Sequence, residues 1–464
     1  MADLIVANAY VVSMNAKRQI FSDGAIAIQR NKIVAVGPTA TVRAKHKAAH
    51  VIDGSGMMAI PGLIDGHLHP NQYLSNGIGD DIDIMSWLYK RIYPYEAVLT
   101  PEDAYLSALG GFVEAIRYGT TCFNDPGGIH ADAMAQAAVD IGIRGIMTRS
   151  TRDIHDPIAP LPKSLIETTD QNLERGEAFV KKWHKAADDR IRAWFSLRYV
   201  YNISDRLASG IGKLARKHKV GVHAHAAAVK GENEAIQKMF GKRSLERYYD
   251  LGLFGPNLYL VHMGWPNARE ITWLADNGCK VAHCPGASMF GAYGVFGNGM
   301  MPKMADAGIT ISLGTDSASA SGNLDMVRVM YLAACGHKDI YNDATLWGAY
   351  KALEMATIDG AKALLWDDAI GSLEVGKKAD VTLVDMAGIE FANHPGRHPV
   401  RSLVYSATGK SVDTVIVDGR VLLRRGTLVT VDEADVKRRL KAASQAWRKR
   451  AGLKLPPPWP VIRG

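Results

Sequence analysis

The feature that most constrains the fold of this chain is a regular alternation of short apolar runs with helical segments through its middle. Eight runs have the length and composition of buried strands, at residues 58–64, 120–124, 144–150, 192–198, 220–225, 258–262, 280–285 and 309–317. Segments with helical spacing separate them, such as residues 101–118, 131–141 and 204–218. Strands and helices in eightfold alternation predict an α/β fold, in the form of a (β/α)8 TIM barrel.

Shorter strand-like segments flank this region on both sides. Residues 3–12, 24–29 and 32–36 alternate apolar and polar positions, and a matching pattern returns at residues 379–385 and 412–423. We expect the two ends to build one small β-sandwich-like domain. The predicted boundaries are 1–57 for the N-terminal strands, 58–368 for the barrel, 369–430 for the returning strands and 431–464 for a basic C-terminal helix with a proline-rich tail.

Histidine or aspartate stands at the carboxyl end of five of the apolar runs. The residues are His67 and His69 after the first run, then His225, His262, His283 and Asp316. In TIM barrels the chemistry lies at the carboxyl ends of the strands, so these side chains are expected to meet there. Because residues two apart in a strand share a face, His67 and His69 can reach the same cation.

Three imidazoles and one carboxylate are a donor set that suits a divalent cation of borderline softness such as Zn²⁺. His67, His69, His225 and Asp316 supply that set, and Fe²⁺, Co²⁺ and Mn²⁺ are alternatives because the same donors suit them. Asp316 could also take the proton of an attacking water, and His262 could polarise the atom attacked or protonate the leaving group. We therefore predict Asp316 and His262 as catalytic residues.

Four further side chains are candidates for lining a substrate pocket. They are Trp87 after the first run, Tyr199 after the fourth, Trp265 just past His262, and His283, which precedes a Cys-Pro pair. For each aromatic residue, packing in the core is an equally good explanation. We expect His223 to be a buried neutral imidazole on the opposite face of the strand from His225.

The charge of the chain restricts its partners. The formal net charge is +8, but residues 437–464 hold nine Lys or Arg and no acidic residue, which leaves −1 for the rest. The basic excess is typical of a solvated helix face or a subunit contact, so we predict neither nucleic-acid nor membrane partners but a small-molecule substrate. The N-terminal residues lack the basic region of a signal peptide, which favours a cytoplasmic location.

Several of these motifs together resemble the amidohydrolase superfamily. The motifs are Pro-Gly-Leu-Ile-Asp-Gly-His-Leu-His at residues 61–69, the strand ends at His225 and His262, His-Cys-Pro at 283–285 and Gly-Thr-Asp at 314–316. The chain is similar to the branch of guanine-type, methylthioadenosine and triazine aminohydrolases and chlorohydrolases, with a likeness to hydroxyatrazine ethylaminohydrolases and 8-oxoguanine deaminases. The resemblance implies one metal ion held by His67, His69, His225 and Asp316, His262 as a catalytic or orienting residue, and a homodimer or larger oligomer.

The chain departs from that branch at one position. Its deaminases usually carry a glutamate three residues after the fifth-strand histidine, as a proton shuttle to the leaving amine, and this sequence has Ala228 there. Glu232 and Glu234 lie about one further turn along. What replaces the shuttle is open at this point.

Three hypotheses follow for the function. The leading one is a mononuclear metal-dependent hydrolase that cleaves a C–N bond in an amide, urea, carbamate or N-substituted heteroaromatic substrate. The second is a deaminase or chlorohydrolase of a purine, pterin or triazine ring, in which Glu232, Glu234 or water replaces the missing acid. The third is a catalytically silent scaffold that keeps the fold, since fold alone never proves function.

Overall fold

The computed structural model of the chain describes residues 2–155, 161–392, 399–454, 459–460 and 462. The fold is of the α/β type. Its strands are β1 (Ala2–Val12), β2 (Ile20–Gln29), β3 (Lys32–Pro38), β4 (Ala48–Asp53), β5 (Met57–Pro61), β6 (Leu63–Asp65), β7 (Thr120–Asn124), β8 (Arg144–Met147), β9 (Ile191–Ala193), β10 (Phe195–Leu197), β11 (Val222–Ala226), β12 (Leu258–His262), β13 (Lys280–His283), β14 (Thr310–Leu313), β15 (Val381–Asp385), β16 (Val412–Val417), β17 (Arg420–Arg424) and β18 (Thr427–Leu428). Pro456, Pro457 and Pro458 of the predicted tail lie outside the described residues.

Helices of seven residues or more separate many of these strands. In chain order they are α1 (Thr39–Lys45), α2 (Pro101–Arg117), α3 (Ala131–Ile141), α4 (Thr169–Trp183), α5 (Asp205–His218), α6 (Lys230–Phe240), α7 (Ser244–Asp250), α8 (Ala268–Asp276), α9 (Met300–Asp306), α10 (Met326–Tyr341), α11 (Ala349–Met355) and α12 (Glu433–Ala451). Shorter helical segments are Pro70–Ser75, Ile84–Trp87, Leu88–Ile92, Tyr93–Ala97, Lys163–Leu165, Ala186–Asp189, Val200–Asn202, Pro285–Phe290, Val295–Asn298, Ala318–Ser321, Ile358–Ala363, Ile389–Ala392, Val400–Tyr405 and Gly409–Ser411. None of the described helices combines the length and the hydropathy needed to cross a bilayer.

Strands from both ends of the chain share one mixed sheet. Its order is β18-β17-β16-β15-β5-β1-β2-β3, and β4 pairs with β1 in parallel. The link between the two ends is the antiparallel pairing of β5 with β15. Apolar side chains from both ends, including Val6, Ile26, Val381 and Ile416, pack in one buried cluster on this sheet.

The apolar runs of the middle region form parallel sheets. One has the order β6-β7-β8-β9 and the other the order β10-β11-β12-β13-β14. Trp194 joins them, because its backbone N–H donates to the Met147 carbonyl on β8 while the N–H of Phe195 donates to the Gly221 carbonyl next to β11. At the other edge, the Gly66 N–H donates to the Leu313 carbonyl of β14 at 2.8 Å. The carboxyl ends of all these strands therefore face the same side.

Two of the predicted strands needed correction. Residues 58–64 are not one strand: β5 belongs to the mixed sheet and β6 to a parallel sheet, with Gly62 between them. A Cβ at Gly62 would lie 2.0 Å from Oγ1 of Thr121, so only glycine fits where the chain passes between the sheets. Residues 192–198 likewise divide at Trp194 into β9 and β10, which hydrogen-bond to different neighbours.

The C-terminal helix α12 packs on α2 of its own chain. Trp447 is fully buried and meets the Tyr95 ring edge-on, with centroids 4.8 Å apart. Arg439 pairs with Glu102 at 2.7 Å, and Arg450 pairs with Asp103. Part of the basic excess of this helix is therefore neutralised within the chain.

Candidate active site

The first two histidines follow β6, and the residue that ends that strand, Asp65, holds the backbone of His67. Asp65 is fully buried, and its Oδ1 accepts hydrogen bonds from the backbone N–H groups of His67 at 3.2 Å and Thr315 at 3.0 Å. Its Oδ2 accepts from the Thr315 hydroxyl at 2.5 Å. Burial raises the pKa of Asp65 to about 7 in spite of these donors. Asp65 thus ties the residues after the first strand of the parallel sheets to those after the last.

His225 and His262 end neighbouring strands, where Ala226 on β11 pairs in register with His262 on β12. Their ring centroids lie 5.4 Å apart, and those of His67 and His225 lie 4.9 Å apart. His69 stacks on His225 with centroids separated by 5.4 Å. The four rings therefore converge at the carboxyl ends of the strands.

Asp316 closes the group from the end of β14. Its Oδ1 lies 3.5 Å from Nε2 of His67 and 3.4 Å from Nε2 of His69, and its Oδ2 lies 3.8 Å from Nε2 of His262. The Ser317 N–H donates to Oδ1 at 2.7 Å. Asp316 and His262 both have left-handed backbone conformations, with φ of 64° and 72°, which non-glycine residues rarely adopt. Such strain is typical of functional sites.

These residues fit a divalent cation. Two groups of three potential metal-binding atoms lie close together. In the first, one atom each of His67, His69 and Asp316 lie within 4.8 Å of one another. In the second, the same holds for one atom each of His67, His225 and His262. The buried Nε2 atom of His67 has no hydrogen-bond partner in the described part of the chain. Burial, assisted by the charge of Arg198, lowers the pKa values of His67 and His69 well below that of a free imidazole. Both rings are therefore neutral, and each can offer a nitrogen lone pair to a metal ion. Burial also lowers the pKa of His262, to about 4.

His223 has a role that the sequence reasoning missed. The expectation that it faces away from His225 was wrong: the rings are nearly parallel, with centroids 6.3 Å apart, because residues two apart in a strand share a face. Nε2 of His223 lies 3.0 Å from Nδ1 of His67. It is the partner that can hold the proton of His67 on Nδ1 and leave Nε2 free.

A buried ion network behind the histidines was also missed. Nη1 of Arg198 lies 2.9 Å from Nδ1 of His69, and its Nη2 pairs with Oε1 of Glu96 at 2.9 Å. Oε2 of Glu96 pairs with Arg152 at 2.8 Å. Burial alone would raise the pKa of Glu96, but the two guanidinium groups lower it. Arg198 ends the run of residues 192–198, so its position at a strand end was the available signal.

Two of the four predicted pocket residues lie at the site. Trp87 and Tyr199 line a narrow cavity of about 10 Å³ together with His69, Leu88, Arg198, His225, His262, Tyr293 and Asp316. Tyr199 stacks on His225 with centroids 5.0 Å apart. Tyr293, which the sequence reasoning missed, meets His262 edge-on at 5.2 Å. It comes from the loop after β13, where no periodic pattern identifies it.

Trp265 and His283 are not among the residues that line this cavity. Nε1 of Trp265 donates to the Tyr293 carbonyl at 2.9 Å, so Trp265 supports the loop that carries Tyr293. His283 is fully buried, and its Nε2 lies 3.3 Å from Nε2 of His337 in a surround that includes Phe296 and Trp347. The aromatic packing around His283 directs it away from the cavity.

Neither of the two carboxylates that follow the fifth-strand histidine lines the cavity at the histidines. Glu234 is exposed on α6. Glu232 is buried, and its carboxylate accepts hydrogen bonds from the N–H groups of Ala227 at 2.6 Å and Ala228 at 2.9 Å and from the Ser244 hydroxyl at 3.0 Å. It is absent from the cavity lining. Glu232 therefore holds the loop that carries Ala228.

A second, wider cavity lies away from the histidines, between the segments 128–132, 149–152 and 164–182. Most of its charged side chains are paired with one another: Arg149 and Arg175 with Glu167, and Lys182 with Asp132. Arg152, which also lines the cavity, pairs with Glu96 outside it. We therefore assign the chemistry to the narrower cavity at the histidines.

Comparison with known proteins places this site in context. The model of the amidohydrolase family matches residues 58–422, and an imidazolonepropionase-like composite domain matches residues 24–46. A 5-methylthioadenosine/S-adenosylhomocysteine deaminase of Moorella thermoacetica is 34% identical over 436 residues, which covers 94% of this chain and 97% of the relative. A 5'-deoxyadenosine deaminase of Methanosarcina mazei is also 34% identical, over 94% of this chain and 96% of its own length.

Solved structures agree with this result. The crystal structure of an adenosine deaminase from Xanthomonas campestris with bound zinc superposes with a TM-score of 0.87 and 30% identity, over 97% of this chain and 99% of that chain. A zinc complex of an atrazine chlorohydrolase from Arthrobacter aurescens superposes with a TM-score of 0.87 at 23% identity, over 95% of this chain and 100% of that chain. The second likeness concerns the fold alone.

Proposed function

Since this chain belongs to the amidohydrolase family, we propose that it hydrolyses a C–N bond of a small molecule with one divalent cation held by His67, His69, His225 and Asp316. The observation that carries this proposal is the convergence of these buried donors, with Nε2 of His67 unpaired among the described residues. Leaving the lone pair of a buried neutral imidazole without a partner costs free energy, and a bound cation would supply that partner.

We propose zinc as the cation, which the bound zinc of the Xanthomonas campestris relative supports. The same donors also suit Fe²⁺, Co²⁺ and Mn²⁺. When bound, such a cation would act as a Lewis acid on the substrate and lower the pKa of a water.

Asp316 and His262 are the proposed proton carriers. Oδ1 of Asp316 points toward the first two histidines and accepts the Ser317 N–H, which leaves Oδ2 toward His262. Oδ2 can take a proton from the attacking water as the oxygen bonds to the substrate carbon. As the C–N bond breaks, the leaving nitrogen regains that proton, from Asp316 itself or through Nε2 of His262 at 3.8 Å.

The proposed substrates are amides, ureas, carbamates and N-substituted heteroaromatics. The cavity lining contains Asp316 as its carboxylate, and the side chain at position 228 is a methyl group. A reaction that needs one proton carried from water to an amine can use Asp316 alone. Deamination of an aromatic ring usually uses a second acid, the glutamate that is replaced by Ala228 in this chain.

Deamination of a nucleoside is the second candidate. The names of the relatives favour it, since proteins 34% identical over more than nine tenths of this chain are called deaminases of methylthioadenosine and 5'-deoxyadenosine. Release of ammonia from such nucleosides distinguishes it from the first candidate. A silent scaffold would release neither ammonia nor an amine.

We infer that the parallel strands close into a (β/α)8 barrel. The hydrogen bond from Gly66 to Leu313 and the shared position of Trp194 support closure at both junctions. The mixed sheet supports a small β domain from both ends of the chain, but because β5 belongs to it, the boundary with the barrel lies at Gly62 and not at residue 57 as predicted. The barrel then runs to residue 368, the returning strands cover 369–430, and a C-terminal unit begins at residue 431. The homo-oligomer and the cytoplasmic location stay predictions from the sequence.

Metal content and turnover test the proposed function together. We expect the purified protein to hold about one equivalent of zinc, iron, cobalt or manganese per chain and His225→Ala to lose it. The metal-loaded protein should then release an amine from at least one amide, urea, carbamate or N-substituted ring. No metal after incubation with each ion would contradict the proposal, and ammonia release from nucleosides alone would move the assignment to the deaminase.

A further inference from the structure

The wide cavity between residues 128–132, 149–152 and 164–182 has no part in the proposed hydrolysis. Its volume is about 540 Å³, within the range of about 300–1,000 Å³ that is typical of sites for small molecules. The apolar side chains of Ile129, Leu165 and Phe179 line it beside a larger set of polar ones. The charges and hydrogen-bonding groups of that polar set indicate the kind of ligand that fits.

Cations outnumber anions in the lining. The formally charged side chains are the cations Arg149, Arg152, Arg175 and Lys182 and the anions Asp132 and Glu167. Arg149 and Arg175 both pair with the same oxygen of Glu167, Oε1. One carboxylate therefore serves two guanidinium groups, and it cannot neutralise both. This excess of positive charge favours an anionic ligand.

Arg152 is the buried member of this cationic set. Its side chain is 1% exposed, whereas those of Arg149 and Arg175 are 22% and 56% exposed. Nη2 of Arg152 donates to Oε2 of Glu96 at 2.8 Å, but Nε and Nη1 have no hydrogen-bond partner in the described part of the chain. Leaving buried N–H groups of a cation without acceptors costs free energy, and oxygen atoms of a ligand in the cavity would supply those acceptors.

Three other buried polar atoms in the lining lack partners among the described residues. They are the Ser150 hydroxyl, Oδ1 of Asn172 and Oε2 of Glu167. The hydroxyl can donate to an oxyanion, as Arg152 can. The amide and carboxylate oxygens only accept, so they match a hydroxyl or an N–H on the ligand.

We propose that the wide cavity is a second ligand site, which binds a small organic oxyanion that also carries a hydroxyl or N–H donor. Guanidinium groups match the oxygens of both carboxylates and phosphates, so the head group belongs to one of these two classes. Arg149, Ser150 and Arg152 bind the head group, while Asn172 and Glu167 accept from the donor. The apolar side chains cover the carbon skeleton. The site does not depend on the hydrolytic reaction at the histidines.

Calorimetric titration of the full chain, metal-free and zinc-loaded, tests this site. Mandelate carries a carboxylate, a hydroxyl and a phenyl ring, and phenylethylene glycol has a neutral hydroxymethyl group in place of the carboxylate. We expect mandelate to bind about 10-fold or more tightly than the glycol, because the glycol loses the charge-assisted hydrogen bonds to guanidinium. Phenylacetate, which lacks the hydroxyl, should bind more weakly than mandelate. Equal binding of mandelate and phenylacetate would contradict the role of Asn172 and Glu167.

A second pair of probes, phenyl phosphate and phenol, makes the same comparison for a phosphate. The pair with the larger ratio of anion to neutral affinity identifies the head group. If neither anion binds more tightly than its neutral counterpart, the cavity is not an anion site and the proposal is wrong.

Variants locate the bound anion. Arg149→Gln should weaken the binding of the preferred anion by about 10-fold, and Ser150→Ala should weaken it by about 3-fold, because each removes one donor to the head group. Both substitutions leave the buried pair of Arg152 and Glu96 in place. Arg206→Gln is the matched control, because Arg206 is 67% exposed and does not line the cavity. An anion bound at the zinc or at Arg198 would keep its wild-type affinity in both cavity variants, and that result would overturn the proposal.

Discussion

Nδ1 of His67 lies 3.0 Å from Nε2 of His223, and both rings are fully buried. Burial lowers the pKa of each ring well below that of a free imidazole, so both are neutral and share one proton across this contact. If His67 donates from Nδ1, its lone pair is on Nε2, the atom nearest Asp316. His223 is thus a positioning residue for a proposed metal ligand, and such partners commonly tune metal affinity.

The first prediction concerns His223. His223→Ala should weaken zinc binding by about 10–100-fold, because His67 loses the partner that fixes its tautomer. His223→Gln keeps an acceptor near the same place and should recover part of that loss. Competition with a chromophoric chelator measures both affinities. Equal zinc affinity in the wild type and in His223→Ala would contradict the positioning role.

The second prediction concerns the contact between the two types of sheet. Arg144 on β8 is fully buried and pairs with Asp380 at 2.6 Å and Asp418 at 2.8 Å, which lie beside β15 and β16. Arg144→Met leaves two buried carboxylates without this partner and should lower the free energy of unfolding by about 3–5 kcal/mol. Denaturant unfolding measures the change.

The matched control for Arg144 is the same substitution at an exposed ion pair. Arg206 forms an ion pair with Asp170, and their side chains are 67% and 73% exposed. Arg206→Met should therefore change the free energy of unfolding by less than about 1 kcal/mol. Similar losses in the two variants would mean that the buried network does not hold the sheets together.

The strand ends were predictable from sequence because burial there has a local signature. An apolar run such as β12 ends directly in a histidine, His262. Parallel pairing with the next strand then brings the ends of neighbouring strands together. Alternation within β11 also carried the information that His223 and His225 share a face, although the sequence reasoning drew the opposite conclusion.

Contacts between distant segments were not predictable in the same way. Arg198 and Glu96 are 102 residues apart, and nothing in either local pattern indicates their pairing. The division of residues 58–64 at Gly62 depends on Thr121, whose side chain occupies the space of a Cβ. Trp265 and His283 lie near strand ends, like the residues of the site. Their orientation depends on distant partners, because Trp265 donates to the Tyr293 carbonyl and His283 contacts His337.

The third prediction separates support from catalysis at Glu232. Its carboxylate accepts the N–H groups of Ala227 and Ala228, so Glu232→Gln would set an amide NH₂ against one of these donors. We expect a loss of about 1–3 kcal/mol in unfolding free energy. Glu234→Gln on the exposed face of α6 should stay within about 0.5 kcal/mol of the wild type.

Turnover by the same variants decides whether Glu232 moves protons. An acid–base catalyst typically contributes about 10²–10⁴-fold to the rate. If Glu232 only holds the loop, kcat of Glu232→Gln on the best substrate should fall by much less than that. Unchanged stability with a loss of that size would identify Glu232 as the missing shuttle.

The last prediction concerns acid stability. Burial lowers the pKa of His337 from 6.5 to about 4, so the unfolded chain takes up a proton at this position before the folded chain does. The stability that the neutral ring provides is complete above pH 6.5 and is lost as the pH falls toward 4. At one pKa unit per about 1.4 kcal/mol, His337 should account for on the order of 3 kcal/mol of that loss. When the pH falls from 7.5 to 4.5, the free energy of unfolding of the wild type should therefore fall by about 2–3 kcal/mol more than that of His337→Gln. His50→Gln is the control, because His50 is exposed, and it should lose as much unfolding free energy between pH 7.5 and 4.5 as the wild type. If His337→Gln also loses as much as the wild type, protonation of His337 does not contribute to acid unfolding.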